Sequence, residues 1–268
     1  MAGRPLFVTR GSSIVSRRSF LSVSSILLAP ALARADVVRA DFPNHEPELV
    51  QEMVVVAHGN VARVKQLVGR QPSLAKAAYD WGFGDWEAAI DAASHVGNRD
   101  IAEFLIANGA RATIFSAAML GQLDAVKAFI AASPGIQRTP GPHSITLLRH
   151  AVAGGSRAQA VVDYLKTIEG ADEKPAEKPL SPDEARMLAG VYVYGLTPAN
   201  RVEITASDKN QMSFGRPGRF PRGLTHLGSY EFVPMGAEHV RVRFADAAGA
   251  MTLTVHDPDV VLTAKKTA

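Results

Sequence analysis

The sequence predicts an α+β protein of two domains, a short stack of helix pairs followed by a small antiparallel β-barrel. Three observations carry that expectation. Between residues 46 and 168, glycines at 59, 97, 121 and 155 each stand at a turn before an apolar helical stripe. From 169 to 182, in EGADEKPAEKPLSP, apolar residues thin out while charge and Pro accumulate, which marks a linker. From 183 to 268 the apolar period drops to two, the spacing of half-buried strands.

The chain has 268 residues and a formal charge of +3. Residues 1–35 carry Arg4, Arg10, Arg17, Arg18 and Arg34 and no acid, so removing those five from the 29 Lys and Arg leaves 24 against 26 acidic residues. The basic balance therefore belongs to the N-terminus and is no nucleic-acid footprint. With no cysteine, disulfides, Fe–S clusters and Cys-ligated zinc are excluded. Ser16-Arg17-Arg18-Ser19-Phe20-Leu21 is followed by an apolar run from Leu21 to Ala33 and by Ala33-Arg34-Ala35. That run is too short to span a bilayer. The pattern resembles a twin-arginine signal peptide over residues 1–35. The resemblance implies export of a folded chain to the periplasm or beyond, with no membrane span in the mature protein.

Residues 36–168 form the expected helical domain. Apolar residues recur three and four apart after each glycine, as in Ile101, Phe104 and Leu105, or Val126, Phe129 and Ile130, which gives one buried stripe per helix. The preceding segments are Ala-rich, suited to helices packed closely on their neighbours. Ala93-Ser94, Gly97, Ile101-Ala102, Phe104-Leu105-Ile106 and Gly109-Ala110 together resemble an ankyrin repeat, and Ala117-Ala118, Gly121, Leu123 and Val126 a further one. The family's Thr-Pro-Leu-His opening is Ala88-Ala89-Ile90-Asp91 here, and the 24-residue step from Gly97 to Gly121 leaves no room for a hairpin. Trp86 is expected to open an inner helix. Trp81, Phe83 and Trp86 either cap the stack or stand exposed as a binding anchor. The ankyrin resemblance implies a non-catalytic scaffold whose concave face holds an envelope protein through Trp81, Phe83, Asp85, Trp86 and Asp91.

Residues 183–268 show about eight short alternating segments, among them Val191–Tyr194, Arg201–Thr205, His239–Phe244 and Met251–Val255. Eight strands in so short a stretch close into a small barrel or fold as a tight sandwich. Leu188-Ala189-Gly190-Val191-Tyr192, with Leu227, Gly228, Phe232, Val242 and Phe244, resembles the small lipocalin-like domains of secreted bacterial proteins. This resemblance implies an alternative function, a carrier for a small apolar or anionic ligand. Tyr192, Tyr194, Phe214 and Phe232 would line the cup, and Arg216 and Arg219 come from the basic loop Gly215–Gly223.

Catalytic motifs are missing. The eight histidines contain no H-x-x-x-H or H-E-x-x-H pair, there is no G-x-S-x-G elbow and no phosphate loop, so no metal or cofactor is expected. His58 and His95 read as capping residues beside turns, and His143 and His150 flank a Pro-Gly-Pro turn from which they can approach one another. Glu87 and Asp91 stand four apart, a spacing that would put two like charges on one helix face. An unrecognised hydrolase is the remaining alternative.

Overall fold

The computed structural model describes residues 43–258 and 260–267, and the twin-arginine stretch lies outside them. The helical part begins with α1 (Pro47–Ala57) and α2 (Val61–Arg70), followed by a two-stranded hairpin, β1 (Ala78–Asp80) and β2 (Trp86–Ala88). Three further helix pairs follow: α3 (Ala89–His95) with α4 (Arg99–Ala107), α5 (Ile114–Met119) with α6 (Leu123–Ala132), and α7 (Leu147–Ala153) with α8 (Gln159–Lys166). Each pair folds back on itself, and the first helices stack in series, α1 on α3, α3 on α5, α5 on α7. Small side chains permit this close approach: Ala57, Ala89, Ala92, Ala93, Ala117, Ala118 and Ala151 are all buried. The second helices open on polar caps supplied by the turn. Asn60 accepts from the Arg63 amide (3.0 Å) and Asn98 from the Ile101 amide (3.2 Å), satisfying donors that a helix start leaves unpaired.

Glycine is required at two of these turns. Gly97 (φ 78°) and Gly121 (φ 74°) lie in the left-handed region, and a Cβ on either would overlap a backbone carbonyl oxygen of the next unit, Ala153 or Arg157. The punctuating glycines thus serve packing between units as well as the turn itself.

The hairpin departs from expectation. Trp86 does not open a helix; it begins β2, and α3 starts at Ala89. The ladder Ala78↔Ala88, Tyr79↔Glu87, Asp80↔Trp86 holds those residues extended, so the side chains alternate. Glu87 is driven inward at 0% exposure and Trp86 outward at 63%. At the tip, Gly82, Phe83 and Gly84 all have positive φ, and the Phe83 ring meets Phe214 of the barrel at 5.7 Å.

The linker is partly docked. Ala171 is buried and accepts from the Leu148 amide (2.9 Å), and Lys178 donates to the His226 carbonyl (2.8 Å). The next segment contains a helix that period-two reading misses, α9 (Pro182–Leu188). Ser181 and Glu184 form a capping box at its start. Its Ala185 and Leu188 pack into the barrel core, and the Tyr192 hydroxyl donates to the Leu188 carbonyl at 2.7 Å.

Eight antiparallel strands then close a barrel: β3 (Gly190–Val193), β4 (Arg201–Ala206), β5 (Met212–Gly215), β6 (Arg222–Gly228), β7 (Glu231–Pro234), β8 (Arg241–Ala247), β9 (Ala250–Asp257) and β10 (Val260–Lys266), with β10 returning to β3. An eight-stranded barrel is just wide enough for side chains to fill. Tyr192 and Phe232 do so at 0% exposure, each stacked edge-to-face on Phe244 at 5.6 and 5.4 Å. The cup expected around them is therefore corrected: these two rings are core. Phe214, Arg216 and Arg219 lie at the barrel's edge nearest the hairpin, and Tyr194 lies beneath Arg216. Residues 43 onward make one compact unit, so helices and barrel share a seam. Among the described residues, no helix is long and apolar enough to cross a membrane.

Gly97→Ala is expected to destabilise the chain by about 1–3 kcal/mol from backbone strain, with the carbonyl overlap adding to it. Chemical denaturation reads this, and a variant within about 0.5 kcal/mol of wild type would contradict the packing described.

Candidate metal centre at the helix–barrel seam

Four side chains from separate places in the helical part converge beneath the hairpin. His58 follows the last turn of α1, Glu87 is the middle residue of β2, His95 ends α3, and His143 sits in the loop before α7 with φ 59°. One ligand atom from each lies within 4.8 Å of all the others. His95 Nε2 is 2.9 Å from Glu87 Oε1 and 3.1 Å from His58 Nε2. His58 Nε2 is 3.7 Å from Glu87 Oε1, and His143 Nε2 is 3.4 Å from Glu87 Oε2. For zinc bound at ~2.0–2.1 Å, the edge of a ligand tetrahedron is about 3.3–3.4 Å. The observed separations bracket that edge.

The groups behind these donors set their tautomers. His58 Nδ1 donates to the Val54 and Val55 carbonyls, both at 3.1 Å, which leaves the Nε2 lone pair facing the cluster. His143 Nδ1 donates to Asp85 Oδ2 at 2.8 Å, again freeing Nε2. Asp85 is in turn held by the His143 amide (2.9 Å) and by Arg222 Nη1 from the barrel (2.9 Å). Trp81 Nε1–H donates to Glu87 Oε2 at 2.8 Å and so orients the carboxylate. Outer contacts of this kind are what metal-ligating histidines and carboxylates carry.

Without a cation the arrangement has too many acceptors. A neutral His143 bonded to Asp85 would aim a lone pair at the Glu87 carboxylate. Protonation relieves this. Burial pushes the His143 imidazole down, but hydrogen bonds and charge from Asp85 and Glu87 outweigh burial and lift it to about 9. Burial likewise pushes Glu87 up, yet the hydrogen bonds from His143 and His95, with the charges of His143 and His58, bring it down to about 2. The centre therefore calls for positive charge, which a proton or a metal ion can supply.

Around it lies a buried shell. Asp91 is driven up to about 6 by burial; the hydrogen bond from Thr113 (2.6 Å) opposes the shift and the charge of Glu87 adds to it. His150 is fully buried against Ser94 Oγ (2.9 Å) and is pushed down to about 3 by burial, with the charge of His95 adding and that of Glu87 opposing.

Of the residues expected at a concave partner surface, Trp86 alone is strongly exposed. Asp85 and Asp91 are corrected to interior positions, since their carboxylates are engaged by His143, Arg222 and Thr113 within the chain. Trp81 and Phe83 are half-buried, Trp81 on Glu87 and Phe83 on the barrel. Glu87 and Asp91 share no helix face, because Glu87 belongs to a strand. The expectation of capping histidines saw each residue's local place and missed their convergence. A signal was present: His58 and His95 occupy equivalent places, just before the interhelix glycine of successive pairs, so stacking makes them neighbours. No protein-family model matches the chain, and no curated protein matches its sequence.

For His150 the pH dependence has a definite sign. An unfolded imidazole titrates near 6.5 and the folded one near 3, so only the unfolded state takes up this proton in between, and stability falls as pH drops through that window. Between pH 7.5 and 5 the loss from this group is about 2 kcal/mol. His150→Gln is expected to shrink the difference in unfolding free energy between those pH values by about that amount in chelator-treated protein. An unchanged difference would contradict the assignment.

Proposed function

We propose that this chain is a metal-binding protein holding one divalent first-row transition ion on His58, Glu87, His95 and His143. The observation that carries the reading is the convergence of three imidazole Nε2 atoms on one fully buried carboxylate, with His58, His143 and Glu87 each oriented from behind. Three imidazoles and a carboxylate suit zinc, iron, nickel or copper. The His58 and His143 side chains are 32% and 29% exposed, which gives an ion a path in from solvent. An ion here pins the loop of His143, and that loop is what touches the barrel: Ser144 donates to Glu238 (2.6 Å) and accepts from the Gly236 amide (2.6 Å). Metal binding would then stiffen the seam.

The test is titration of chelator-stripped protein with Zn²⁺ by calorimetry, and with Co²⁺ by visible absorption. One ion per chain, with the intense absorption of a tetrahedral cobalt site, is expected. Asp85→Asn should weaken binding about 10–100-fold by loosening His143. Failure to bind either ion at micromolar concentration would leave the network as a protonated ion-pair cluster.

A second reading, an exported protein-binding scaffold, is supported by the serial stacking of ankyrin-like helix pairs and by Trp86, whose exposed ring has no packing role to explain it. It is also supported by the twin-arginine pattern at Arg17-Arg18. Replacing both arginines with lysine is expected to keep the protein in the cytoplasm. For exported protein, Trp86→Ala should leave stability within about 0.5 kcal/mol of wild type and reduce co-purifying partners. Unchanged export, or an unchanged set of partners, would remove the corresponding part of this reading.

A further inference from the structure

Beyond the four donors, the seam contains a cleft of about 310 Å³ between the hairpin and the β5–β6 loop. That is the lower end of volumes that hold small ligands. Its walls are aromatic from both sides of the seam. Trp81 meets Phe220 edge-to-face at 5.6 Å, and Phe83 meets Phe214 at 5.7 Å. Phe220 is 67% exposed, an unusual cost for a ring with no ligand to cover it.

Three arginines line the same cleft, and they are not equivalent. Arg222 is consumed by Asp85 and by the Met235 carbonyl. Arg216 reaches the Ala199 carbonyl at 3.4 Å and lies over the Tyr194 ring, while Arg219 donates to the Tyr79 hydroxyl at 2.8 Å. Neither has a carboxylate partner among the described residues, so both guanidiniums keep free donors. The one acid on the lining with no arginine beside it, Asp80, has Oδ1 occupied by the Gly82 amide at 2.8 Å. A cleft with free planar cations and aromatic walls selects a negatively charged group attached to a flat apolar body.

We propose that this cleft binds a small aromatic carboxylate, its acid group on Arg216 and Arg219 and its ring against Trp81 and Phe220. This goes beyond metal binding and uses none of the four donors. It also relocates the anionic-ligand function from the barrel's interior to its rim, where Phe214, Arg216 and Arg219 meet the hairpin.

Benzoate is the probe, titrated into the full chain with tryptophan fluorescence and calorimetry as readouts, in chelator-treated and Zn²⁺-loaded samples. Benzyl alcohol lacks the charge and acetate lacks the ring. Benzoate is expected to bind in both samples, with benzyl alcohol and acetate each at least about tenfold weaker. Arg216→Ala combined with Arg219→Ala should weaken benzoate about tenfold or more while leaving the thermal midpoint unchanged, because both side chains lie in an exposed loop. The proposal is overturned if benzyl alcohol matches benzoate, if the double variant binds like wild type, or if benzoate binds only with zinc present. Loss of zinc binding with benzoate binding intact would remove the metal centre alone.

Discussion

The buried carboxylate of Asp85 is the constraint around which the molecule is arranged. A carboxylate removed from water is costly unless its oxygens are satisfied. Asp85 is 3% exposed, and its partners come from three places: the amide and imidazole of His143, 58 residues on, and the guanidinium of Arg222, 137 residues on. Removing either partner leaves a charge without compensation. The hairpin, the loop before α7 and the sixth strand are thereby held in register by one side chain. Gly236 allows the approach, since a Cβ there would run into the Asp85 carboxylate.

From that anchor the seam's two clusters follow. On the helical side, Asp85 fixes the His143 ring so that its Nε2 turns toward Glu87, where His58 and His95 already converge. On the barrel side, it spends Arg222 and so leaves Arg216 and Arg219 as the free cations of the aromatic cleft. Trp81 belongs to both: its indole N–H holds Glu87, and its ring forms one wall of the cleft. The same ring lies 6.0 Å from His143. The hairpin that carries it works in two directions because β2 alternates. Glu87 points in and Trp86 points out, a consequence of strand geometry that a helix at the same place would not produce.

Much of the architecture was legible in the residues. The eight strands and the glycine turns announce themselves through periodicity and turn chemistry, which act over a few residues. Helix α9 escaped because seven residues are too few to show a helical period, although Ser181-Pro182-Asp183-Glu184 is a capping signal. Trp86 was misplaced because Ala88-Ala89-Ile90 reads as helix, while the pairing of Tyr79 with Glu87 holds the preceding residues extended. The twin-arginine pattern is legible in the chain alone and lies outside the described residues.

What the sequence determined by itself is therefore local: helix pairs punctuated by glycine, a polar connection, alternating strands, no cysteine ligand and no contiguous catalytic motif. Tertiary structure alone decided which polar groups meet. His58 reaches His95 across 37 residues, and Arg219 reaches Tyr79 across 140. No periodicity records such pairs, because they depend on how stacked helices and a closed barrel are brought together in space. Burial then changes what the residues are: an acid that reads as a surface contact becomes an interior keystone, and histidines that read as caps become converging donors.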